Sequence, residues 1–94
     1  MNFINQYFTE AKDIIEKIDK ADKEDISIEL LPAEANTVIN DEYYEYEGIK
    51  AQLAIDIGYK VYLGGKGDKT GEDLDIYFNL KGQKLIPREE VHHR

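Results

Sequence analysis

Across residues 49–63 every odd position is apolar: Ile49, Ala51, Leu53, Ile55, Ile57, Tyr59, Val61 and Leu63. The even positions are mostly polar, with Lys50, Gln52, Asp56 and Lys60 among them. This period of two places one face of an extended chain on a core and the other in water. Fully extended, the run would reach roughly 50 Å, too far for a domain built from 94 residues. The run must therefore bend, and Gly58 is the expected bulge or corner.

Further strands flank it. Leu74, Ile76, Phe78 and Leu80 alternate with Asp75, Tyr77 and Asn79. Lys81-Gly82 then reads as a tight turn into a final strand over 83–86, ended by Pro87. Upstream, Ile26, Ile28 and Leu30 alternate with Ser27 and Glu29, predicting a short strand stopped at Pro32. Residues 32–36 fit either one helical turn, with Pro at its first position, or a loop. Thr37-Val38-Ile39 and Tyr43-Tyr44-Glu45-Tyr46 have strand composition on either side of the turn-prone pair Asn40-Asp41.

The first segment has a different period. Ile4, Tyr7, Phe8, Ala11, Ile14, Ile15 and Ile18 recur at spacings of three and four, the stripe of an amphipathic helix over about residues 3–20. Asn2 is its expected N-cap. Asp13/Lys17, Glu16/Lys20 and Asp19/Lys23 are spaced i, i+4 with the acid first, which supports the solvent face. Short turns make neighbouring strands antiparallel. The predicted fold is therefore α+β: an N-terminal amphipathic helix packed on a curled four- or five-stranded antiparallel meander. It forms one domain over 1–87, followed by a flexible tail over 88–94.

The chain holds no cysteine, which excludes a disulfide framework, thiol catalysis and cysteine metal sites. No apolar stretch approaches the roughly 20 residues that span a bilayer, and residues 1–6 lack the pattern of a secretion signal. A soluble, cytoplasmic protein with no membrane association is expected. Chemistry-bearing motifs are sparse. The glycine-rich stretch over 64–71 contains Lys69-Thr70, but Asp68 precedes the lysine and a strand follows, so it fails the phosphate-loop pattern. It reads as a hairpin loop whose Lys66 and Lys69 are placed to contact an anion or the chain's own acidic segment. His92 and His93 are adjacent and lack metal-ligand spacing. Glu72, Asp73 and Asp75 lack the spacing of a calcium loop, and no histidine is placed to activate the single serine, Ser27. We expect no enzyme activity, no cofactor and no metal.

Charge is what remains informative. The net charge is −8, the wrong sign for direct nucleic-acid binding, which relies on Lys and Arg. Residues 26–47 hold six of the acids and no Lys or Arg. Within them Asp41, Glu42, Tyr43, Tyr44, Glu45, Tyr46 and Glu47 interleave carboxylates with tyrosines. Tyrosine supplies stiff contact area with a polar tip, and carboxylates pair with Arg or Lys across an interface. These seven residues are the predicted partner-binding site. The predicted function is a non-catalytic acidic binding protein that blocks a basic protein partner, such as an immunity protein or inhibitor of a nuclease toxin or of another nucleic-acid-binding protein. The alternative is a self-associating structural or regulatory module, a homodimer formed through an open sheet face or edge, with Tyr62 and Tyr77 at the interface.

Overall fold

The structure, a computed structural model, describes residues 3–86, with side chains from residue 11 onward. Helix α1 (Phe3–Lys20) leads into strand β1 (Glu24–Ile26), a single 3-10 turn (Ile28–Leu30) and helix α2 (Ala33–Glu42). Strands β2 (Tyr46–Ala54), β3 (Gly58–Gly65) and β4 (Asp73–Phe78) follow. The four strands form one antiparallel sheet in the order β1-β2-β3-β4. The α+β architecture expected from the sequence is present, with the sheet open rather than closed. The expected Asn2 cap and the tail from Arg88 lie outside the described residues.

The long alternating run is a hairpin rather than one bent strand. Ala51 pairs with Val61 and Ala54 with Gly58, so the reversal falls at residues 55–57. Asp56 sits there at φ 64°, a left-handed conformation that Asp tolerates better than most residues. A bulge does occur, but at the far end: the register slips between Gly48 and Lys50, leaving Ile49 as the extra residue.

Residues 37–39 correct the strand expectation, because they lie inside α2. Pro32, at φ −55°, sets the chain for helix entry just before Ala33. Leu31, Ala35 and Ile39 then recur every four residues, and all three are buried. Burial of that stripe outweighs the weak strand preference of Thr37, Val38 and Ile39. Residues 43–46 are also not a strand throughout. Tyr43 caps α2, with its N–H donating to Ile39 O, and Tyr46 N–H donates to Tyr43 O across a turn. Similarly, the strand expected from Ile26 to Leu30 pairs only as far as Ile26. The expected last strand is reduced to one bridge, Phe78 with Lys84.

The sheet is covered on both faces, each by a different helix. Ala51, Val61, Leu63, Ile76 and Phe78 on one face pack against Ala35 and Ile39 of α2 and against Leu31 just before it. On the opposite face, α1 covers the hairpin end, where Ile18 packs with Ala54 and Leu85, and Tyr77 lies against them. Helix α1 does not cover the apolar face of the odd-numbered residues, which α2 takes. It docks instead on the polar face because Ala54 and Gly58 leave room there. A Cβ on Gly58 would stand 2.9 Å from Ile18 Cδ1 and 2.5 Å from Phe78 O.

A polar clamp completes the α1 contact. Tyr77 Oη and Lys60 Nζ donate to Asp19 Oδ1 at 2.8 and 3.2 Å. Partial burial alone would raise the Asp19 pKa, but the hydrogen bonds from Tyr77 and Lys60 and the nearby ammonium charges outweigh it and hold it below its ordinary value. For Lys60, burial acts to lower the pKa, and its bonds to Asp19 and Tyr77 raise it instead. A depressed carboxylate pKa stabilises the fold above the ordinary value near pH 4, and the gain is lost as pH falls through the folded value. Because Asp19 is nearly half exposed, screening limits this to about 0.5–1 kcal/mol. Urea unfolding of Asp19→Asn should therefore show a loss of about that size at pH 7 that shrinks below pH 4. An unchanged midpoint would mean that the clamp does not hold α1.

Candidate functional site

The seven residues singled out by composition converge on the junction where α2 ends and β2 begins. Asp41 and Glu42 occupy the last turn of α2, with no basic residue in that turn. A helix C-terminus carries partial negative charge, so carboxylates there cost about 0.3–1 kcal/mol each in an exposed setting. Their position deepens a local negative potential at the expense of helix stability.

The structure separates the seven into two groups. Four are engaged internally. Glu42 Oε1 accepts from Lys84 Nζ at 3.1 Å, and the same ammonium donates to Tyr43 Oη at 2.8 Å. Burial acts to lower the Lys84 pKa, but the Tyr43 and Glu42 hydrogen bonds raise it above its ordinary range. Tyr43 and Tyr46 meet edge to face with centroids 6.1 Å apart, and both pack on the main core. Tyr46 Oη donates to Glu72 Oε1 at 3.2 Å. Glu45 lies 4.0 Å from Lys69 Nζ, so the glycine-rich loop does reach the acidic segment, as its lysines allowed.

The remaining three face solvent. Tyr44 is 68% exposed, and Asp41 and Glu47 are exposed with no ion pair among the described residues. A shallow groove of about 350 Å³ opens beside Tyr44 and Glu47. Tyr43, Tyr44, Tyr46 and Glu47 line one part of it, and Asn36 and Asn40 of α2 line another. Lys66 also lines it, and its backbone N–H donates to Glu45 O. Asn36, Asn40 and Lys66 were missed as site residues by composition. Asn36 and Asn40 are spaced i, i+4, a signal readable only once α2 is recognised as a helix.

Elsewhere the options are fewer. Among the described residues, no group of three or more His, Asp or Glu side chains gathers to hold a metal ion. Both histidines lie outside the described residues. A second recess, between α1 and β4, measures only about 180 Å³, below the roughly 300 Å³ of ordinary small-ligand sites. The open part of the polar sheet face is internally bonded. Gln52 Nε2 donates to Asp25, Tyr62 Oη donates to Gln52, and Lys50 and Lys60 lie 5.7 and 5.1 Å from the Tyr62 ring centroid. Tyr62 and Tyr77 thus already have partners within the chain. Among the described residues no helix is long and apolar enough to cross a membrane.

Comparison with protein-family models, with curated proteins and with solved structures finds no match for this chain.

Proposed function

We propose that this chain is a non-catalytic, cytoplasmic binding protein whose α2–β2 junction occupies the cationic surface of a basic protein, in the manner of an immunity protein or nuclease inhibitor. The observation that carries this reading is that an open tyrosine, Tyr44, and two exposed carboxylates without ion pairs among the described residues, Asp41 and Glu47, all fall between the negative end of α2 and the start of β2. Exposed tyrosine gives interface area at low entropy cost. Carboxylates that have no partner of their own need not break one in order to bind, and they steer a cationic partner during encounter.

Glu42 and Glu45 have lysine partners, so the informative variant is Asp41→Lys/Glu47→Lys. Immobilised wild-type chain should retain a basic protein from host lysate and release it as ionic strength rises to about 1 M, where screening shortens to about 3 Å. The double variant should retain at least about tenfold less, with its melting temperature within a few degrees of wild type. Equal retention of the same basic protein by both would refute the reading.

Self-association is favoured by one observation. Ile49 is 62% exposed, and its side chain lies over Gly64 on the open part of the polar sheet face. Against it, the sheet edges are lined with charge, Glu24 and Asp25 on β1 and Asp73 and Asp75 on β4, which discourages strand pairing between copies.

A further inference from the structure

We infer that the groove beside Tyr44 is an arginine pocket: it receives a guanidinium from the partner, and the partner's blocked surface therefore presents an arginine rather than only diffuse positive charge. This rests on the proposed function and specifies what the site recognises. Three features of the groove select a cation. Glu47 lines it and forms no ion pair among the described residues. The C-terminal end of α2 borders it through Asn40, adding the negative pole of the helix. Tyr43, Tyr44 and Tyr46 line it, and the face of a tyrosine ring attracts cations.

The chain already uses this chemistry internally. Two lysine ammonium groups lie within 6 Å of the Tyr62 ring centroid, and Lys84 lies 4.9 Å from that of Tyr43. Tyr44, the most exposed of the groove's tyrosines, has no such cation among the described residues. Arginine suits the site better than lysine. Its flat guanidinium stacks on a ring while its fork of N–H groups bonds a carboxylate and amide oxygens together. Glu47, Asn36 and Asn40 line the groove, and each carries a side-chain oxygen able to accept. Asn36 Nδ2 is turned toward Ile28 O at 3.4 Å, which leaves its Oδ1 free to accept.

Lys66 is the one cation in the lining, and it supplies a test with opposite signs. A guanidinium held by Glu47 would face the Lys66 ammonium, so removing that charge should tighten binding while removing the carboxylate weakens it. The probes are capped tri-arginine and tri-lysine peptides, titrated into the ¹⁵N-labelled protein at low salt. Expected are shifts confined to residues 36–48 and Lys66, with arginine binding at least about threefold tighter than lysine. Glu47→Gln should weaken the arginine peptide about tenfold, and Lys66→Ala should tighten it about twofold. Equal affinity for both peptides, shifts spread over all acidic surfaces, or the same response in all variants would each overturn the pocket. Retention of the basic protein in the capture experiment is read separately. If it persists while the peptides show no preference, the pocket fails and the proposed function stands.

Discussion

Truncating Phe78 to alanine should lower the unfolding free energy by about 3–5 kcal/mol, seen as a melting temperature about 15–30 °C lower. Phe78 is fully buried and packs among Val61, Ile76, Leu31 and Ala35 in the larger core cluster. A domain of this size holds only about 5–15 kcal/mol in total, so this one cavity removes a large share of it. The consequence reaches the functional junction as well. Phe78 forms the bridge to Lys84, and Lys84 in turn holds Glu42 and Tyr43 at the end of α2. A loss below about 1 kcal/mol, measured by thermal and urea unfolding together, would show that α2 does not pack on this face of the sheet.

The second large effect is expected at Gly65, the last residue of β3. A Cβ placed there would overlap the backbone carbonyl of Lys69 in the 3-10 turn Gly67–Lys69. Because the obstacle is backbone, no side-chain rotation can relieve it. Gly65 also pairs with Tyr46, and its N–H donates to Glu72 O at 2.8 Å. Gly65→Ala should therefore push the 66–72 loop away from the junction, at a cost of about 1–3 kcal/mol. The displaced loop would carry Lys69 from Glu45 and Lys66 from the groove. Both reduced stability and altered partner affinity are expected from this single methyl group. A variant with wild-type melting behaviour would mean that the loop does not pack against Gly65.

What could be read from the chain divides along the range of the interactions. Helix α1 and the strands of the hairpin were legible because one local period, 3.6 or 2, runs through most of each. The reversal at residues 55–57 was hidden because Ile55 and Ile57 continue the alternation through the turn, although Ile55 ends up 57% exposed. Helix α2 was hidden for the opposite reason. Thr37, Val38 and Ile39 are β-branched and adjacent, and they mask the four-residue spacing of Leu31, Ala35 and Ile39 that burial selects. The face on which α1 docks depends on Ala54 and Gly58 being small, a property that gains meaning only after the hairpin has formed.

At the candidate site the same division holds. Composition located the acidic, aromatic segment, and the structure gathers it at one junction. Composition could not tell which carboxylates are neutralised, because Lys69 and Lys84 reach Glu45 and Glu42 from 24 and 42 residues away along the chain. That sorting leaves Asp41, Tyr44 and Glu47 as the open part of the segment. It also brings in Asn36 and Asn40, whose i, i+4 spacing has meaning only within a helix, and Lys66 of the glycine-rich loop.

Amide hydrogen exchange of the chain, free and bound to the captured basic protein, tests the interface most directly. Protection should rise over residues 40–48 and around Lys66, and remain unchanged over residues 50–62 on the polar sheet face. Protection concentrated on that sheet face or along β1 and β4, with residues 40–48 exchanging as in the free chain, would contradict it.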